Sequence, residues 1–182
     1  IIWFRRDLRL ADHPALSAAC EECDEIIPLF VFDDALLRRR TFGPACVGFM
    51  LGCLQELASS LAERGIALQW RRGEPAATVA QLAREWKADV VYWNRDYEPV
   101  ALERDRQAQL ALAEQGVRTR TFKDHVVFEA EEIRGATGDP LQRYSAYRAR
   151  WWAKWQEVRP VPLPVPPGLA AGKAGSVPAA AP

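Results

Sequence analysis

Five short apolar runs, each followed by a stretch of helical spacing, leave this 182-residue chain very few architectures. The runs are Ile1–Phe4, Glu25–Phe32, Ile66–Trp70, Asp89–Asn94 and Val117–Phe122. Near-continuous apolar runs of this length are the mark of strands covered on both faces, as in a parallel sheet. Pro14 opens a helix through Ala15–Cys20, with Asp12 or His13 just before it. A longer helix is predicted from Pro44 to Arg64 with Gly65 as its stop. In it Val47, Met50, Leu51, Leu54, Leu57 and Leu61 recur at three and four residues, a stripe expected to face the core. Gly73-Glu74-Pro75 opens a third helix running to about Lys87, and a fourth spans Pro99 to Gln115, closed by Gly116. Pro28 lacks a ladder donor, so a bulge or an unpaired position is expected inside the second run.

Strands alternating with helices imply right-handed crossovers and an α/β fold: a Rossmann-like, doubly wound, five-stranded parallel sheet flanked by helices. Order 3-2-1-4-5 sets strands one and four side by side at the switch point, where such sheets bind ligands beyond the strands' carboxyl ends. The first strand runs straight into Arg5-Arg6-Asp7-Leu8-Arg9, and the fourth delivers Asn94-Arg95-Asp96-Tyr97-Glu98. Both charged tips are therefore predicted to face one crevice, with Asp33-Asp34 beside it at the end of strand two. Arg6, Asp7 and Arg9 read equally as an ion-pair knot bracing the loop or as ligand contacts.

Composition excludes several function classes. Lys plus Arg balances Asp plus Glu at 24 each, which gives no chain-wide electrostatic grip on nucleic acid. No apolar stretch approaches the ~20 residues of a membrane helix, and no leader pattern stands at the start, so a cytoplasmic protein without a membrane partner is expected. Cys20, Cys23, Cys46 and Cys53 suit a reducing compartment. Cys20-Glu21-Glu22-Cys23 has redox or zinc spacing. It lacks a second ligand pair, since the chain has two histidines, and reads as structural thiols. No phosphate loop, dinucleotide fingerprint, HExxH or nucleophile elbow occurs. A binding site is expected, with no catalytic residue and no metal ligand.

Beyond the sheet, residues 125–158 carry Tyr144, Tyr147, Trp151, Trp152 and Trp155 at helical spacing, with Arg143, Arg148 and Arg150 between them. Such a stripe predicts a packing surface for something large, ahead of single-stranded nucleic-acid stacking. Residues 159–182 hold seven of the thirteen prolines and read as a proline-rich interdomain linker, partly extended. The predicted division is thus 1–124, 125–158 and 159–182.

Trp3-Phe4-Arg5-Arg6-Asp7-Leu8-Arg9-Leu10 with Asp12-His13-Pro14-Ala15-Leu16 resembles the opening of the DNA photolyase and cryptochrome family. Tyr92 to Pro99 with Arg104-Asp105 is similar to that family's second signature, and Gly138-Asp139-Pro140 with Tyr144, Tyr147 and Trp151 to its third. The match is to the family's N-terminal α/β antenna domain. It implies that the chain holds a light-harvesting chromophore passing excitation energy to FAD, for light-driven repair of pyrimidine dimers in DNA. FAD and UV-damaged DNA would belong to a helical domain following in the full-length, monomeric chain. The enzyme implied is a carbon–carbon lyase only when whole, and the fragment alone is not catalytic. A cryptochrome photoreceptor and a free-standing nucleotide-binding module are the alternatives. By the match, the cofactor-binding residues are Arg6, Phe30, Val31, Phe32, Asp33, Cys46, Phe49, Asn94, Asp96 and Glu98. Val100 and Ala101 stand where folate-type members carry Asn-Glu, while Asp96 and Glu98-Pro99 follow the deazaflavin type. Cys46 stands where those members have an arginine. The implied order is 8-hydroxy-5-deazaflavin, then FMN or no antenna, then folate.

Overall fold

Proline occupies the first turn of four helices, where its missing N–H removes no helical hydrogen bond. In the computed structural model, which describes residues 1–40 and 42–177, these helices alternate with strands. The elements are β1 (Ile2–Phe4), α1 (Pro14–Glu22), β2 (Pro28–Phe32), α2 (Asp34–Leu37), α3 (Pro44–Ala62), β3 (Gln69–Arg72), α4 (Pro75–Glu85), β4 (Val90–Asn94), α5 (Pro99–Ala113), β5 (Arg118–Phe122) and α6 (Tyr144–Val158). Side chains do the capping: His13 accepts the Leu16 N–H at α1, and Glu74 accepts those of Ala76 and Ala77 at α4.

All strand pairs are parallel, in the order β3-β2-β1-β4-β5 that the alternation predicts. Successive side chains point to opposite faces, so β1 splits its three residues between two cores. Ile2 and Phe4 join Leu16, Leu57, Leu61 and Tyr92 on the α1–α3 side. Trp3 joins Leu29, Val31, Val79, Trp93 and Leu112 on the α4–α5 side.

Three expectations are corrected. Pro28 is the first residue of β2, opposite Ile2, where a strand tolerates proline without a bulge. β3 begins three residues later than the apolar run, at Gln69, because Ile66 is buried in the turn leaving α3. In α3 only Leu54, Leu57 and Leu61 of the stripe are buried, while Phe49 is 77% exposed and Leu51 48%. This helix also reaches membrane-crossing length and apolarity, 19 residues with a mean hydropathy of 1.4. Its three buried leucines nevertheless pack it against the sheet as an ordinary flanking helix.

The proline-rich segment, expected to be partly extended, makes contacts with its own domain. Arg159, with a left-handed φ of 43°, ends α6, and the chain then lies back along α1 as a strap. Asp12 donates its N–H to the Leu163 carbonyl and accepts the Leu163 N–H on its carboxylate. Val165 and Leu169 pack onto the α1–α3 core, and the Lys173 ammonium donates to the Cys23 carbonyl. Ile26 forms a parallel bridge with Ala174. Apolar anchors spaced along extended backbone hold this stretch. The five residues at 178–182 lie outside the described part of the predicted linker.

Candidate functional site

The tips of β1 and β4 meet, and most of what meets is locked internally. Buried Asp7 accepts the Asn94 amide N–H at 2.7 Å, the Arg5 backbone N–H at 2.8 Å and the His13 Nε2–H at 3.0 Å. His13 Nδ1 accepts the Leu16 N–H, so the ring carries its proton on Nε2. Asn94 Oδ1 accepts the Ala15 N–H at 3.0 Å. Arg5 donates to Asp105 and to the Asn94 carbonyl, and Trp93 donates to Asp105. Burial pulls the Arg5 guanidinium below its ordinary pKa, partly offset by Asp105. Burial pushes Asp7 up, but the His13 hydrogen bond, with the Arg5 amide and charge, outweighs it and holds the carboxyl below the usual range. This is the ion-pair knot reading for Asp7, and for Arg5 beside it.

Above the knot lies a polar crevice of about 260 Å³, rimmed by Arg6, Arg9, Asp96, Asp124 and His125. Arg6 donates to Glu98 at 2.7 Å and stands 3.6 Å from Asp96, and Arg9 pairs with Asp124. Asp96 also accepts the N–H groups of Tyr97 and Glu98. Burial raises its pKa, and the Glu98 N–H, Arg6 and the Tyr97 N–H bring it below the ordinary value, so it is a carboxylate at neutral pH.

A second opening is apolar and larger, about 570 Å³, between α3 and the β2–β3 edge. Phe32, Leu37, Leu51, Leu54, Leu68 and Trp70 wall it, and Arg72 stands at its rim. Phe32 meets Trp70 edge-on at 5.9 Å and Phe30 at 5.0 Å. Volume and lining suit a planar organic ring, since ligand sites of roughly 300–1,000 Å³ are mostly apolar with a few polar groups. Among the described residues no cluster of three or more His, Cys, Asp or Glu could hold a metal.

The ten residues singled out from sequence fall into distinct places. Phe32 walls the apolar cleft, whereas Phe30 is buried behind it and Val31 faces the opposite core. The period-two alternation of a strand keeps Phe30, Val31 and Phe32 from lining one surface. Asn94 is buried with its amide committed to Asp7 and Ala15, which leaves it a structural group. Asp33 caps α2 through the N–H groups of Ala35 and Leu36. Cys46 and Phe49 are exposed on the first half of α3, and Arg6, Asp96 and Glu98 share the crevice rim. Sequence reasoning missed Trp70 and Leu51 as cleft walls and Asp105 as the anchor of Arg5. Trp70, 62% exposed on an otherwise polar strand, was a readable signal. The reach of Arg5 to Asp105, a hundred residues away, was not.

Comparison with known proteins agrees with this geometry. The family model described as DNA photolyase matches residues 1–167. The deoxyribodipyrimidine photo-lyase of Synechococcus sp. is 36% identical over 165 residues, spanning 91% of this chain and 33% of its own length. The archaeal photolyase from Sulfolobus tokodaii, solved with two FAD molecules, superposes with a TM-score of 0.73 at 27% identity over 90% of this chain and 36% of its own. A bacterial class III photolyase from Agrobacterium tumefaciens gives 0.76 at 27% identity over 100% of this chain and 35% of its own. The chain therefore spans about a third of these relatives. With the 3-2-1-4-5 sheet, the paired polar tips of β1 and β4, and a family model covering nearly all of its length, this chain belongs to the DNA photolyase family.

Proposed function

We propose that this chain is the chromophore-holding domain of a light-driven DNA-repair photolyase, completed by a helical domain that carries FAD and engages damaged DNA. The observation carrying this reading is the apolar cleft between α3 and the β2–β3 edge of a family member, walled by Phe32, Trp70 and Leu51. A bound chromophore there would absorb light and pass its excitation to the flavin. The protein's part is to grip the ring, keep water off its faces and fix its orientation.

Two features favour a tricyclic ring, a deazaflavin or a flavin, over a folate pterin. Val100 and Ala101 offer no side-chain hydrogen bond, and the Sulfolobus relative was solved with two FAD molecules, described as implying a novel light-harvesting cofactor. β2 and β4 lie two strand spacings apart, about 10 Å. A ring seated against β2 and β3 can thus turn its polar edge toward Asp96 and Arg6 at the tip of β4 and β1. Tyr144 and Trp152, 78% and 56% exposed on α6, support a helical partner domain packing on that helix.

Trp70→Ala should cut uptake of deazaflavin or FMN about tenfold or more, and Asp96→Ala should weaken it with the fold intact, read by quenching of chromophore fluorescence on titration. Full affinity in both variants would overturn the cleft assignment. Absence of light-dependent dimer repair by the full-length protein would favour the photoreceptor alternative.

A further inference from the structure

The far end of the strap is anchored beside a pair of thiols. Cys20 is buried in the last turn of α1, and Cys23, partly exposed, caps that helix in an extended conformation. Cys23 Sγ lies 3.4 Å from the Tyr92 hydroxyl, which spends its own proton on Glu22 at 2.9 Å, so the thiol is the donor. Both sulfurs are free. Burial pushes the Cys20 pKa up, and Lys173 of the strap is near enough to pull it partway back. The strap grips this corner at three points. The Lys173 ammonium donates to the Cys23 carbonyl, the Ile26 N–H to the Lys173 carbonyl at 2.7 Å, and the Gly175 N–H to the Ile26 carbonyl at 2.9 Å. Side chains three apart on a helix stand roughly 5–6 Å apart at Cβ, and a disulfide draws them to about 3.5–4.5 Å. Cys23, as the cap, is the half that can move. Closing the bond therefore shifts the peptide whose carbonyl receives Lys173 and which leads directly to Ile26.

We propose that Cys20 and Cys23 close into a reversible disulfide, and that closure undocks the end of the strap at Lys173 and Ala174. The oxidant is a small disulfide such as glutathione disulfide. The partly exposed Cys23 thiolate attacks one of its sulfurs and releases the first glutathione. The Cys20 thiolate then attacks Cys23 Sγ, forming the Sγ–Sγ bond and expelling the second. Two electrons pass to glutathione, and the two protein thiol protons end on the two glutathione thiols. Cys46 and Cys53 lie about 10 Å apart along α3, which no disulfide spans, so the pair at the end of α1 is the one able to close within α1 or α3.

The 182-residue chain incubated with excess glutathione disulfide, then alkylated and digested, tests the bond by peptide mass. The peptide holding both cysteines should be two hydrogens lighter and resist alkylation until reduced. Hydrogen exchange in the same samples reads the strap. Oxidation should speed exchange at the Ile26 and Gly175 amides about tenfold, the scale of one lost charge-assisted hydrogen bond, and reduction should restore it. The Leu163 amide, bonded to Asp12 at the other end of the strap, should not change. Cys20→Ser should stop at a glutathione adduct on Cys23, and Cys23→Ser should show neither the bond nor the faster exchange. Absence of the bridged peptide overturns the disulfide. A bridged chain with unaltered exchange at Ile26 and Gly175, or faster exchange that persists in Cys23→Ser, overturns the link to the strap.

Discussion

Asp7 accepts three hydrogen bonds from three different parts of the chain, the turn after β1, the start of α1 and the end of β4. Replacing it by alanine strands the Asn94 amide and the His13 N–H in a buried place. Stranded donors of this kind make Asp7→Ala cost roughly 3 kcal/mol, visible as a lower urea midpoint at unchanged slope. The pH dependence has a definite sign. The folded carboxyl is held below its unfolded value, so its contribution is complete above the ordinary carboxylate pKa and is lost as pH falls below about 4. The charged tip of β1 was legible in sequence as a cluster. Its division into a buried knot, Arg5 and Asp7, and a solvent rim, Arg6 and Arg9, depends on partners about ninety to a hundred and fifteen residues away.

At the level of elements, α3 has one side in the core and another in solvent. Leu61 is fully buried in the core, whereas Phe49 stands in solvent. Leu61→Ala should cost about 2–5 kcal/mol, and Phe49→Ser less than about 0.5 kcal/mol, compared by thermal melting. Helical spacing made the stripe legible, but spacing cannot say which of its residues reach full burial, and only Leu54, Leu57 and Leu61 do. β3 was misplaced for a related reason: Gln69-Trp70-Arg71-Arg72 belongs to an edge strand and lacks the apolar run of a central one.

The attachment of α6 is also an element-scale matter. Glu132 accepts from the Glu129 N–H, from Lys123 at 2.7 Å and from Lys154 of α6 at 3.2 Å, while Trp151 meets Phe128 edge-on at 5.5 Å. Burial raises the Glu132 pKa, and the Glu129 N–H with the two lysines overrides it, bringing the carboxyl from 4.5 to about 2. The group is depressed on folding, so its hold on α6 is complete above pH 4.5 and fades between 4.5 and about 2. Acid titration should therefore shift tryptophan emission to the red over that window, and Glu132→Gln should flatten the shift.

For the molecule as a whole, the strap closes a surface that the flanking helices leave open. Leu169 is 4% exposed against the α1–α3 core, and Val165 packs beside it. Cutting the chain after Arg159 uncovers that core, and loss of two apolar anchors should cost roughly 2–4 kcal/mol, seen as a lower melting temperature. Prolines made the segment legible as extended. The docking was hidden because Val165, Leu169 and Lys173 are isolated in sequence and gain meaning only against α1.

The Asp12–Leu163 pair joins residues 151 apart, and Lys173 reaches Cys23 across 150. Contacts of such range form only after the ground they land on exists, since closing so long a loop is entropically unfavourable until a surface is ready to reward it. Late settling of the strap is the expectation from this range, to be checked by pulse hydrogen exchange during refolding. Until the strap settles, a nascent chain shows an oily seam along α1, and that interval is when it is most exposed to aggregation and to holding chaperones.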